Sequence, residues 1–397
     1  MRDLRAAGAT WDSLTTGTAA ANGHLDCLKY AVESGCPWHG STCTAAAAGG
    51  HPSDMAYVGM YGWPCYDQNI VPAEHGHLDC LKYARENGCP WDAWTCAVAA
   101  GGGRLECLKY AHEGGCPWDS DTCDNAARYG HLDCLEYAHD HGCPWGLFTC
   151  ATAAVTGHMH CLTFAHDHGC PWDHLTCSQA ANQGHLDCLE YAVENGCGWD
   201  SSTCQSAAQN GHMHCLAYAH ERGCSWDVYC CASAAYAGRL ECLRYAHENG
   251  CPWDSRTCEM AARGGHLNCL TFAREHGCPW DSRTCGGAAQ NGRLNCLAYA
   301  HENGCPWDPN LCDGASKYWN LHCVTYVHER GCPCISVDAG IGDHLALRRA
   351  SAAKVSRACR VWLTRRRADV ALVLWGRAAP RPPAGQREVG RGETPRK

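Results

Sequence analysis

The densest run of potential metal ligands in the chain is Cys134-Leu135-Glu136-Tyr137-Ala138-His139-Asp140-His141-Gly142-Cys143. Thiolate and imidazole are the ligands of tetrahedral zinc, which needs three or four of them converging on one point. The same pair of groups could also make an activated thiol nucleophile with a histidine base. The spacing argues against both. On a helix, residues five apart such as Cys134 and His139 point about 140° away from one another. The position of His139 is filled by Arg85, Val193 and Arg274 in equivalent segments that keep their cysteines. A ligand or a catalytic base would not tolerate those replacements. No glycine-rich phosphate loop follows a strand, and no strand is expected. These residues therefore imply no metal, no cofactor and no enzymatic activity.

The 36 cysteines have a different logic. Of these, 32 fall in three columns of a repeating phrase close to His-Leu-Asp-Cys-Leu-Lys-Tyr-Ala-His-Glu-Asn-Gly-Cys-Pro-Trp-Asp-Ser-x-Thr-Cys-x-x-Ala-Ala-x-x-Gly. One column lies inside a helix (Cys107, Cys134, Cys188, Cys242). A second follows a helix-ending glycine (Cys116, Cys143, Cys251), and a third follows threonine (Cys123, Cys177, Cys258). Cysteine is a small, readily buried side chain, and these columns read as core positions. A metal-binding or redox-active thiol array is the alternative.

The phrase begins at His24, His51, His77, Arg104, His131, His158, His185, His212, Arg239, His266, Arg293 and Asn320. These starts are evenly spaced, except that the step from His51 to His77 is one shorter than the rest. A fixed period of this size predicts a solenoid of small units rather than one globular core. In the unit from Asp254, an Asp or Ser cap opens a short helix over Arg256 to Arg263, with Cys258, Ala261 and Ala262 facing inward. Gly264 and Gly265 end it. A second helix runs from about His266 to His276. Leu267, Leu270, Thr271 and Arg274 are expected on its apolar stripe, completed by Cys269, Phe272 and Ala273. Gly277 supplies a left-handed helix end, and Pro279 with Trp280 makes a stiff link to the next unit. Such short helices need their neighbours to be stable. The row of connector tryptophans, Trp91 through Trp307, is expected to lid the grooves between units. The third unit is irregular, with Pro52 and an inverted Trp63-Pro64-Cys65, and a bend is expected there.

These residues resemble ankyrin repeats. Thr257-Cys258-Glu259-Met260-Ala261-Ala262 stands at the first element of that pattern, and Gly265-His266-Leu267-Asn268-Cys269-Leu270 with Gly277-Cys278 at the second. The match recurs from Gly23 to Cys334. The resemblance implies an all-α, ankyrin-like helix-turn-helix solenoid of about twelve short repeats, with protein or peptide ligands. The period here is shorter than that of ankyrin repeats. The missing stretch falls where the β-finger would be, so fingers are expected to be reduced or absent.

The organisation expected is a solenoid over residues 1–334 and a basic extension over 335–397, partly helical and then disordered. The net charge of −9 is divided between −19 up to Gly342 and +10 from Asp343 onward. In the extension, Val355, Ala358, Cys359 and Trp362 share a face flanked by Arg357, Arg360 and Arg365–Arg367, a pattern that could bind nucleic acid or a membrane surface. The N-terminus has no signal-peptide pattern and no stretch is long enough to span a membrane, so a cytoplasmic, monomeric protein is expected. The leading function is a non-enzymatic protein-interaction scaffold. It would use residues that vary on the constant frame, along a concave strip of first helices and connectors. The aromatics Trp94, Tyr129, Phe148, Tyr229 and Tyr236 are its candidate anchors.

Overall fold

A computed structural model describes residues 12–48, 77–307, 311 and 320–331. The irregular unit at 51–76 and the extension at 335–397 lie outside the described residues. Within them are 21 α-helices and no strand, arranged as successive helix-turn-helix hairpins. No helix among the described residues is long and apolar enough to cross a membrane.

The hairpin from Asp254 shows how the sequence builds the unit. The Asp254 carboxylate accepts the Arg256 backbone N–H at 2.9 Å and caps the first helix, Ser255–Gly264. This satisfies one of the donors a helix N-terminus leaves unpaired. Thr257, Cys258, Ala261 and Ala262 are its buried face. The second helix, Leu267–Glu275, ends on a Schellman pattern. Cys278 N–H reaches back to the Ala273 carbonyl at 2.9 Å, and Gly277 turns the chain with φ of 82°. That left-handed conformation is costly for any residue with a Cβ.

The apolar stripe expected for this helix is corrected in part. Cys269, Leu270, Phe272 and Ala273 are buried, but Leu267 and Arg274 are exposed and Thr271 is only half-buried. So short a helix packs one narrow face, and Cys269, Leu270 and Ala273 already fill it. The same Cys, Leu and Ala positions recur as Cys134, Leu135 and Ala138 and as Cys188, Leu189 and Ala192, all fully buried. The Leu column from Leu28 to Leu297 supplies most of the largest completely enclosed side chains. Each such Leu is worth about 1.5–3 kcal/mol on burial.

First helices pack closely against the first helices before and after them, whereas second helices meet their counterparts sparsely. The paired alanines explain the difference: small side chains let backbones approach. The tight layer is therefore made of first helices, and the second helices form a looser outer layer.

Two devices lock consecutive hairpins together. The residue that opens each second helix lays its side chain over a glycine of the preceding unit. A Cβ on Gly103 would stand 2.5 Å from the His131 ring, so this close approach requires glycine. The His131 ring donates to the carbonyl of Gly101, and Asn320 makes the equivalent bonds to the carbonyls of Ala289 and Gln290 at 3.1 and 2.6 Å. These bonds satisfy carbonyls left open at the end of the preceding first helix.

The second device is a stack of rings. His112 lies flat on Trp118 with centroids 3.8 Å apart, and Trp118 meets Tyr137 of the next unit edge-on at 6.3 Å. The arrangement repeats with His166, Trp172 and Tyr191 and with His247, Trp253 and Phe272. Arg85 lies over Trp91 at 4.2 Å and Arg274 over Trp280 at 4.4 Å. The tryptophans are half-buried between units, as a lid requires.

Candidate interaction surface

The variable side chains sit at the two ends of the first helices, outside the locked frame. Trp94 and Tyr229 are each the second residue of a first helix, Ala93–Gly101 and Val228–Tyr236. Phe148 occupies the same register position, two units after Trp94 and three before Tyr229. Leu175, Ser202, Arg256 and Arg283 fill that position in other units. Trp94 is half-buried; Tyr229 is 49% exposed, with the Arg256 guanidinium over its ring at 5.1 Å.

Tyr129 and Tyr236 are the last residues of their helices, 41% and 48% exposed. They lie at the opposite end of the layer, about 10–12 Å along the helix from the first group, given the rise of a helix per residue. The five residues are thus not one patch. Phe148 and Tyr229 are three units apart, roughly 25–30 Å at ordinary helix-packing distances.

The unit after Trp145 departs from the rest. Gly146 stands where the capping aspartate would be, and its first helix starts two residues late, as Thr149–Thr156. The place of the missing carboxylate is taken by Asp124 from the preceding first helix. A Cβ on Gly146 would lie 2.2 Å from the Asp124 carboxylate. The Thr149 hydroxyl donates to that carboxylate, and the Gly146 N–H donates to the Thr149 oxygen at 3.0 Å. Burial pushes the Asp124 carboxyl up, while the Thr149 hydrogen bond opposes it. Leu147 and Phe148, released from the helix, are 78% and 54% exposed. Leu175 is their register neighbour in the next unit. Adjacent exposed apolar side chains of this kind cost solvation unless a partner covers them.

Sequence reasoning singled out Phe148 for its type and left Leu147 out of the anchor set. The Gly146 replacement was the available signal. An acidic column was also missed. Glu86, Glu113, Asp140, Asp167, Glu194 and Glu221 occupy the last helical position of successive second helices, and all are exposed. A negative charge at a helix C-terminus opposes the helix dipole. Its recurrence once per unit was legible.

The His139 cluster does not assemble as a metal site. His139 stacks on Trp145 at 4.8 Å and meets His168 edge-on at 5.0 Å, whereas Cys134 is buried. No group of three or more potential ligands is placed to hold a metal ion among the described residues.

No family model matches the chain, and no curated protein matches it. Among solved structures, the human ASB11 ankyrin repeat domain is similar, at 18% sequence identity and a TM-score of 0.35, covering 40% of this chain and 84% of that one. The hairpin order, the Ala-Ala first helices and the Gly-His turns make this chain an all-α array of helix-turn-helix repeats.

Proposed function

We propose that the chain is a non-enzymatic scaffold that binds a protein or peptide through the exposed ends of its first helices. The centre of that surface is Leu147, Phe148 and Leu175. The single observation that carries this reading is the interrupted cap at Gly146. A capping aspartate is worth about 1 kcal/mol; this helix has no side-chain cap, and two large apolar side chains are held in water beside it. The Cys, Leu and Ala positions of the other units are buried in internal contacts; this segment holds the most exposed of the large apolar side chains among the described residues, Leu147, beside Phe148. Trp94 and Tyr229 extend the same register line, and Tyr129 and Tyr236 form a separate edge.

The test is to pan a displayed peptide library on the protein and measure the enriched peptides against two variants. Leu147→Ser with Phe148→Ser should weaken them by at least roughly tenfold, the scale of one lost apolar anchor. Tyr129→Ser with Tyr236→Ser should weaken them less. Equal binding to the first variant and the native chain would refute the placement.

A further inference from the structure

Each repeat from Asp92 to Cys305 holds two thiols together. The cysteine after threonine (after Cys230 in one unit), near the start of the first helix, meets the cysteine after the next helix-ending glycine. Cys177 and Cys197 represent the pattern. The Cys177 thiol and the Cys177 backbone N–H both face Cys197 Sγ. The Cys197 thiol in turn faces the Asp173 carbonyl at 3.1 Å. Cys150 pairs with Cys170 and Cys258 with Cys278 in the same way, and the Cys258 thiol faces the Cys278 carbonyl at 4.0 Å. Cys116, Cys224 and Cys305 face Asp92, Asp200 and Asp281 in the same way, at 3.1, 3.1 and 3.2 Å. All are present as thiols.

The two sulfurs are not equivalent. Cys197 sits outside the first turn of the helix that carries Cys177, where the open backbone donors and the dipole favour an anion. Its thiol is drawn down by the donors around it, while the Cys177 thiol is pushed up. Cys197 retains slight exposure, and Cys177 has none. After Cys197 the chain carries Gly198, where most units carry proline. The second-helix cysteines have no such arrangement: burial pushes the Cys188 thiol up to about 12 and the Cys215 thiol up to about 11.

We propose that these pairs are dithiol–disulfide sites, each closing a bond within its own repeat when a peroxide is the oxidant, with Cys197 the first to react. Cys197 thiolate attacks one oxygen of hydrogen peroxide. The O–O bond breaks, the sulfur becomes a sulfenic acid, and the second oxygen leaves as water after taking a proton. The Cys177 sulfur then attacks the sulfenic sulfur; the S–O bond breaks, that oxygen leaves as a second water, and a disulfide remains. Two thiols have lost two electrons to the O–O bond. The product ties the start of the first helix to the connector at the far end of the same hairpin. This reading does not depend on the proposed scaffold role.

The test treats the full-length protein with graded hydrogen peroxide, blocks remaining thiols by alkylation, and maps disulfides by non-reducing peptide mass spectrometry. Links within single repeats are expected, with Cys197 consumed at least roughly tenfold faster than Cys188, as thiolate character dictates. Cys177→Ala should leave Cys197 as a sulfenic acid trapped by dimedone, and Cys197→Ala should leave Cys177 unreactive. The native-chain map alone decides the matter if either variant fails to fold. Links between different repeats, oxidation of Cys188 at the same rate as Cys197, or no disulfide at peroxide levels that consume free cysteine would overturn the proposal.

Discussion

The hairpins that begin at Asp254 and at Gly146 solve one problem in two ways. In the first, a carboxylate from the unit's own connector caps its own helix. In the second, the connector has no carboxylate, and Asp124 crosses from the preceding unit to bond Thr149. The first solution lets the helix begin directly after its cap, as Ser255–Gly264. The second shortens the helix and leaves Leu147 and Phe148 in solvent. A solenoid is stabilised by sums of unit and neighbour terms. One unit can therefore lose regularity while its neighbours hold the frame, and such a unit is where a binding feature disturbs the fold least.

The contrast between the two hairpins is most vulnerable at Gly146. Gly146→Asp sets a second carboxylate against Asp124 in a space that does not admit a Cβ. The expected loss of stability is about 2–3 kcal/mol, the usual scale for overpacking with a buried like charge. Adding Asp124→Ala should recover most of it, because the unit could then cap as the others do. Chemical denaturation of the two single variants and the double variant measures the coupling; strictly additive losses would contradict the close approach of Asp124 to Gly146.

Arg104 tests the locking device. It occupies the position of His77 and His131 but is buried with Nε and Nη2 lacking hydrogen-bond partners. Burial holds its guanidinium below the usual arginine range. Arg104→His should stabilise the chain by about 1–2 kcal/mol, since unpaired buried donors carry a desolvation cost of that order. A lower midpoint in thermal unfolding would show that the alkyl stem matters more than the charge.

The same position sets a pH response. Burial lowers the pKa of His77, His131, His158 and His212, and of His112 and His247 in the ring stacks, where His141 and His276 add to the effect. A histidine whose folded pKa lies below the unfolded value, about 6.5, stabilises the protein above that value. That stability is lost as pH falls below about 6.5, because the unfolded chain binds the proton first. Unfolding followed by circular dichroism should show the midpoint dropping between about pH 7.5 and pH 5. His131→Asn, which copies the hydrogen bonding of Asn320, should reduce the slope.

The smallest expected effect is at Asp124. Its carboxyl is raised by burial, so its contribution runs the opposite way: the protonated form suits the fold, and stability falls as pH rises from the unfolded pKa to the folded one. Asp124→Asn should remove that fall and change stability at neutral pH by about 1 kcal/mol or less. Denaturant titrations at acid and neutral pH measure both.

The hairpin was legible residue by residue. Aspartate before the first helix, the Cys258, Ala261 and Ala262 face, and Gly277 at the end of the second helix were all assigned from local rules. The Leu267 and Arg274 assignment was wrong because spacing identifies which residues share a side of a helix, not how wide a side so short a helix can bury. The role of the His139 position was hidden because Arg85 and His139 differ in type. What they share is a flat cationic or imidazole plane that stacks on tryptophan, and that is visible only in space. The exchange between Asp124 and Gly146 spans two units, and no local propensity connects them.

The scaffold role requires the first-helix ends at the Gly146 interruption to be the contact surface. Hydrogen–deuterium exchange of the full chain with and without a bound library-selected peptide tests this most directly. New protection confined to the backbone around Leu147–Thr149 and His174–Thr176 is the result expected. Protection confined to the outer second-helix ends near Glu113, Asp140 and Asp167, with none at Leu147, would contradict it.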